Sequence, residues 1–173
     1  DRSLLSEAVK MINASKAPLI YCGGGVINGN CSEYIEPLAD KADAYVAFSM
    51  MGLTAMDSDS PRYLGMNGMH GRYAATKAFT EADLIIAAGV RFTDRATGNK
   101  KKFAEHAAII HLDIDSAEHD KNIYSDLKIC GNLGESLKYI LKNIERKSNP
   151  HWHEVNEESK KLEISLSTKE SVM

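Results

Sequence analysis

Apolar residues recur along this chain in two rhythms. In "SLLSEAVKMINAS" Leu4, Leu5, Ala8, Val9, Met11 and Ile12 follow the spacing of one helix face, with Ser3 as candidate N-cap. "APLIYC" is a short unbroken apolar run closed by Gly23, Gly24 and Gly25, which predicts a buried strand. Helical spacing resumes in "SEYIEPLADKA", where Ser32 is a candidate cap and Pro37 requires the helix to begin late or to kink. "DAYVAF" predicts a second strand, and "YAATKAFTEA" a helix starting near Tyr73. "ADLIIAAGV" and "AAIIHLDID" are the strongest strand signals, and "LKICG" is a shorter one. "NLGESLKYILKNIER" is an amphipathic helix with Leu133, Leu137, Ile140, Leu141 and Ile144 on one face.

Strands alternate with helices, and the strands are continuous apolar runs, so both sheet faces are covered. That pattern predicts an α/β fold with a doubly wound, mostly parallel sheet. Between the second strand and its helix lies "SMMGLTAMDSDSPRYLGMNGMHG", which shows neither rhythm and reads as a long loop. After Lys147 the chain turns polar around a single Trp152, predicting a peripheral helix, linker or frayed end rather than core.

Composition narrows the partners. Of 173 residues 43% are hydrophobic, enough for one domain with a real core plus a tail. A net charge of -3 argues against nucleic acid as the main partner. No apolar run approaches the ~18 residues of a membrane span, so no membrane partner is expected. Cys22, Cys31 and Cys130 form no CxxC pair, and an odd count makes a disulfide framework improbable; a reducing, cytoplasmic compartment is expected. No signal peptide is visible, and a start at Asp1 rather than Met reads as an excerpt from a longer polypeptide.

In open α/β sheets ligands gather at the carboxyl ends of the strands. There the first strand offers "GGGVING", whose glycines let a phosphate or sugar approach the backbone; it is not GxGxxG, and a plain tight turn explains it equally. The second offers a methionine-rich loop that suits a flat ring or simply covers a core edge. "VRFTDRATG" brings Arg91, Asp94 and Arg95 to one strand end, where Arg91 can clamp a pyrophosphate or join a surface ion-pair cluster. Asp113 and Asp115 follow the next strand and can accept from ribose hydroxyls; as a metal site "DID" is poor, because alternate strand residues point to opposite faces. Gly131 and Asn132 follow the last strand, Asn132 as helix cap or adenine contact. Together these ends suit an extended dinucleotide. Six histidines show no zinc spacing with cysteine, and His151 and His153 beside Trp152 are expected at the surface. No GxSxG, P-loop or HExxH occurs, and Cys22 in its strand is expected to be inert.

"LGMNGMHG", "ADLIIAAGVRFTDRATG" and "HLDIDSAEHDKN", in this order and spacing, resemble the central domain of the acetolactate (acetohydroxyacid) synthase large catalytic subunits, over roughly residues 3 to 145. The wider family is the thiamine-diphosphate enzymes. The resemblance implies a three-layer, doubly wound, Rossmann-like parallel sheet of about six strands, of the DHS-like NAD/FAD-binding type. Residues 1–147 would be the central FAD-binding-type domain, and 148–173 a linker or peripheral helix toward a C-terminal domain. The whole enzyme would join two pyruvates, or pyruvate and 2-oxobutyrate, with loss of CO₂, in branched-chain amino-acid biosynthesis. Thiamine diphosphate, Mg²⁺ and the activating glutamate would belong to other domains of the same polypeptide. FAD would be structural here, with no catalytic residue and no metal ligand in this chain, so the chain alone is expected to fold and catalyse nothing. A homo-oligomer of the full enzyme is implied, and a regulatory subunit is left open.

Carried over by position, Gly23, Gly24 and Gly25 would lie against the adenosine-diphosphate part of FAD. Ser49, Met50 and Met51 would touch the ribityl chain and flavin ring, and Gly68, Met69 and His70 would line the flavin's other side. Gly89, Arg91, Asp94, Arg95 and Ala96 match the family's "GARFDDRV" segment, and Asp113, Ile114, Gly131 and Asn132 would surround ribose and adenine. Thr93 stands where the family usually has Asp, Asn132 replaces the Asp of a Gly-Asp pair, and Ser49-Met50-Met51 replaces Thr-Leu-Gln. Three alternatives stay open within the family: glyoxylate carboligase, pyruvate oxidase, and the FAD-independent fermentative acetolactate synthases. A nucleotide-binding module without chemistry of its own is a fourth reading.

Overall fold

The computed structural model describes residues 1–170. Among these residues six strands form one sheet: β1 (Pro18–Cys22), β2 (Tyr45–Phe48), β3 (Tyr63–Met66), β4 (Leu84–Ala88), β5 (Ala108–Asp113) and β6 (Leu127–Cys130). Their order is β3-β2-β1-β4-β5-β6, and every neighbouring pair is parallel. The chain winds outward from β1 to one edge, returns to the centre, and winds from β4 to the other edge. The reversal falls between β1 and β4. Every residue of β1, β2 and β4 is buried, because helices cover both faces.

The helices are α1 (Arg2–Ala14), α2 (Gly24–Asn28), α3 (Ile35–Ala42), α4 (Tyr73–Glu81), α5 (Asp94–Thr97), α6 (Leu133–Asn143) and α7 (Pro150–Glu170). Strand side chains alternate between two separate cores. On one face Ile20, Cys22, Val46, Phe48, Ile86 and Ile110 meet apolar stripes from α1, α3 and α6, including Ile12, Leu38, Leu137 and Ile140. On the other face Leu19, Tyr21, Tyr45, Ile85 and Ile109 meet Ala74, Ala78 and Phe79 of α4 and Trp152 of α7. This is the three-layer, doubly wound α/β sandwich that the alternation predicts. Burial raises the Cys22 thiol far above its usual range, which keeps it protonated.

Four expectations need correction. The stretch read as one long loop contains β3, an edge strand whose terminal residues Tyr63 and Met66 are only half-buried. Asp1, not Ser3, caps α1: its carboxylate accepts from the Ser3 amide at 2.8 Å. Ser32 does not cap α3 but opens a 3₁₀ turn (Ser32–Tyr34); α3 begins late, at Ile35, as Pro37 requires, and Pro37 falls in the first turn, where its missing N–H costs nothing.

The fourth concerns the tail. Trp152 is 2% exposed, its indole N–H donates to the Pro18 carbonyl at 2.9 Å, and its ring meets Tyr45 edge-on. Tyr45 donates to Glu157 at 3.0 Å, and its oxygen is 2.7 Å from His153 Nδ1. The hydroxyl has one proton, so this arrangement places a proton on His153 Nδ1. His151 and His153 are exposed as expected, but His153 also serves as an anchor. Trp152→Ala should therefore lower unfolding free energy by about 3–5 kcal/mol, the range for emptying a large buried aromatic site. Urea denaturation checks this; a loss below about 1 kcal/mol would show that α7 adds little to the core.

Candidate functional site

The turns leaving β1 and β4 touch backbone to backbone. The Gly23 amide donates to the Ala88 carbonyl at 3.0 Å, and the Gly25 amide to the Gly89 carbonyl at 3.0 Å. A Cβ added to Gly25 would lie 2.6 Å from Gly89 Cα, and one added to Gly89 would lie 2.5 Å from Gly25 Cα. Gly89 also has φ +60°, a conformation side-chain-bearing residues rarely adopt. Above this contact the two turns part and leave a crevice at the reversal of strand order, where α/β sheets bind ligands.

The crevice is a cleft of about 680 Å³. Gly24, Gly25 and Asn28 line it after β1, and Ser49, Met50 and Met51 after β2. Gly89 to Thr93 and Ala96 line it after β4, and Asp113, Ile114, Asp115 and Glu118 after β5. The start of α6, Asn132 to Gly134, closes the far end, and Tyr21 forms part of the wall. A second cleft of about 540 Å³ is lined by Met66 to His70, Arg95, Ser49, Met50, Thr93 and Ala96. The last four residues border both clefts, so the two run on as one elongated site. Met50, Met51, Met69 and Ile114 line it while 70 to 76% exposed. A large open groove beside α3 contains none of the predicted site residues.

Charge is unevenly held. Arg91 is loosely held: its side chain is 76% exposed, with Nε 4.0 Å from Glu118 Oε1. Glu118 is buried and also meets Lys121 at 3.3 Å. Asp113 accepts from the Asp115 amide and Asp115 from the Ala117 amide, each at 2.9 Å, so both carboxylates are fixed by their own turn. Asn132 acts as cap, accepting from the Glu135 amide at 2.9 Å. Burial pushes the Tyr21 hydroxyl up to about 12, so it stays neutral in the cleft wall. Beneath the β4 turn, His111 Nε2 bonds the Val90 carbonyl at 2.8 Å, and its ring packs edge-on against Phe92. Phe92 has φ +47°, a strained value for a bulky residue, held by aromatic contacts with Tyr21, Phe103 and His111.

Residues 5–140 match the model of the thiamine pyrophosphate enzyme central domain. The chain belongs to that family. It is 44% identical over 137 residues to the acetolactate synthase large subunit of Buchnera aphidicola subsp. Schlechtendalia chinensis, covering 79% of this chain and 24% of that protein. It is 42% identical over 165 residues to the probable acetolactate synthase large subunit of Methanocaldococcus jannaschii, covering 94% and 28%. An acetolactate synthase of Mycobacterium bovis is 43% identical over 135 residues, covering 78% and 22%. The chain thus spans about a quarter of the length of these relatives.

In this central domain the predicted residues Gly24, Gly25, Ser49, Met50, Met51, Gly89, Arg91, Ala96, Asp113, Ile114 and Asn132 line the first cleft. Gly68, Met69, His70 and Arg95 line the second. Gly23, Asp94 and Gly131 border neither cleft. Gly23 packs under Gly89, Asp94 turns outward to pair with Lys100 at 2.8 Å, and the Gly131 amide is engaged by the Asp113 carbonyl. Sequence reading missed Tyr21, Asn28, Phe92, Glu118 and Asn67. Strand-face alternation could have found Tyr21; Asn28 ends the short helix α2, and the others depend on how irregular turns fold back.

His111 is fully buried, and burial lowers its pKa. Its Nδ1 has no hydrogen-bond partner among the described residues, so a proton arriving there would be unsatisfied. The unfolded histidine takes up a proton near about pH 6.5 and the folded one resists, so its stabilisation is complete above that pH and lost as pH falls below it. Between about pH 7 and 5 the native protein should lose stability more steeply than His111→Gln. Urea unfolding at both pH values decides this; parallel slopes would mean His111 does not carry the difference.

Proposed function

We propose that the joined clefts bind FAD as a structural cofactor, and that the chain is the central domain of an acetolactate synthase. The observation that carries this reading is the exposure of Met50, Met51, Met69 and Ile114 along one elongated site. Proteins rarely leave large apolar side chains uncovered in a row unless something covers them. Thioether and aliphatic side chains suit the face of a flat ring. The polar end, with Asp113, Asp115 and the Gly24–Gly25 backbone, suits ribose and phosphate.

The residues fit the group. Gly24 and Gly25 line the first cleft with bare backbone, and the largely exposed Arg91 can offer its guanidinium to a pyrophosphate there. Asp113 can accept from ribose hydroxyls, and Met50 and Met69 can close on the ring from the two clefts. Thr93, which borders both clefts, can donate a hydroxyl hydrogen bond where the family usually has a carboxylate. This chain's contribution is to bind, orient and exclude water. Thiamine diphosphate and Mg²⁺ are assigned to other parts of the protein, where the thiamine cofactor supplies the carbanion chemistry that joins two 2-oxo acids. A homo-oligomer and a cytoplasmic location accompany this reading.

The test uses the full-length protein. Purified protein should carry the visible absorbance of bound flavin and make acetolactate from pyruvate when thiamine diphosphate and Mg²⁺ are present. Colourless protein with full activity would favour the FAD-independent fermentative relatives; protein that makes no acetolactate would overturn the activity. Arg91→Ala should weaken FAD binding about tenfold or more, given about 1.5–3 kcal/mol for a hydrogen bond to a charged group. Unchanged affinity by fluorescence titration would remove Arg91 from the site.

A further inference from the structure

The wall of the second cleft is the loop from Asn67 to Arg72. Its inner side is tied to neighbouring turns: the Asn67 amide donates to the Phe48 carbonyl at 2.9 Å, and its side chain to the Ala96 carbonyl at 3.0 Å. The Met69 amide reaches the Arg95 carbonyl at 3.2 Å. The outer end runs into α4, whose first residues leave backbone amides without intrahelical partners. Arg72 occupies the cap position of α4 and makes no side-chain cap bond.

A residue far along the chain takes that place. Glu163 of α7 accepts from the Ala74 amide at 3.0 Å with one oxygen and from Arg72 Nε with the other. A carboxylate at a helix N-terminus both satisfies an amide and meets the positive end of the helix dipole. The Arg72 stem lies across β3 at Gly65, where an added Cβ would come within 2.3 Å of Arg72 Cδ. Its amide closes the loop onto the Met66 carbonyl at 2.8 Å. The Glu163 side chain is 18% exposed, so the contact is partly screened from water.

We infer that Glu163 is a positioning residue for the wall of the second cleft, although it lines neither cleft. By holding Arg72 and the first turn of α4, it sets where Gly68, Met69 and His70 stand. This rests on the reading of the second cleft as the ring end of the FAD site. It makes α7 the strap that fixes that end, while the first cleft, built from the turns after β1, β4 and β5, stands without it.

The two halves of the ligand separate the effects. In the full-length protein, Glu163→Ala should weaken FAD about five-fold, the usual scale of a lost helix cap. ADP, which spans only the adenosine end, should bind as before, and Glu163→Gln, which keeps one acceptor oxygen, should lie between. Calorimetric titration with each ligand measures this. Without ligand, hydrogen exchange at the Gly71 and Arg72 amides should be faster in Glu163→Ala. Equal losses for FAD and ADP, or unchanged exchange at both amides, would overturn the inference. If the parent protein binds FAD no tighter than ADP, the ring-end reading falls, while the exchange measurement still decides whether Glu163 holds the loop.

Discussion

Gly25 rests on Gly89 with no side chain between them, and the site depends on that contact. At this crossing the two backbones approach more closely than paired strands do, so a Cβ on Gly25 would lie 2.6 Å from Gly89 Cα and one on Gly89 2.5 Å from Gly25 Cα, inside van der Waals contact. Here the turn after β1 sends Val26 into the core on one face, and the turn after β4 sends Val90 and Phe92 into the core on the other. The chain can part in opposite directions only because the crossing is bare backbone. The space opened by that parting is the cleft. The fold's topology and its candidate site are therefore one geometric fact: strand order reverses between β1 and β4, and the reversal needs glycine.

Once the turns part, each needs its own support. The β4 turn contains strain at Phe92, balanced by a buried aromatic cluster and by the bond from His111 to the Val90 carbonyl. The Asn122 side chain holds the next carbonyl, that of Arg91, at 3.2 Å. The turn backbone is thus fixed from beneath, and the Arg91 side chain is left largely exposed above it, near Glu118. Asp113, Asp115 and Asn132 are likewise held by hydrogen bonds within their own turns. A fixed frame with exposed side chains at its rim suits a ligand that contributes the missing apolar cover.

The central strands were legible because a parallel sheet covered on both faces writes itself as unbroken apolar runs. β3 was not legible. It lies at the edge, its pairing with β2 shifts register between Val46 and Ala47, and Gly65 interrupts it at φ +90°. Trp152 was missed for a different reason: α7 is polar over most of its length, and one aromatic residue anchors it. For the site, the strand-end rule names the turns that line the clefts but not the direction of each side chain. Gly23, Asp94 and Gly131 lie in those turns and face elsewhere, while Glu118 enters from a turn whose path the sequence does not specify.

The two clefts are supported to unequal depth. The first is floored by hydrogen bonds that continue the sheet, from Gly23 to Ala88 and from Gly89 to Leu112, within the buried centre of the molecule. The wall of the second is a surface loop whose bonds from Gly71 to Gly68 and from Arg72 to Met66 close over short stretches of chain. Segments with few buried contacts and solvent-exposed backbone bonds open at lower free energy than the centre of a sheet. The second cleft accordingly depends more on ties from outside its loop, to the Phe48, Arg95 and Ala96 carbonyls and, through Arg72, to Glu163 of α7. Its side chains, Met69 and His70, lie exposed on that loop, whereas Asp113 stands on a strand end. A dinucleotide in this site would therefore be held at its adenosine end by a frame that continues the sheet and at its other end by a loop that Glu163 of α7 straps in place.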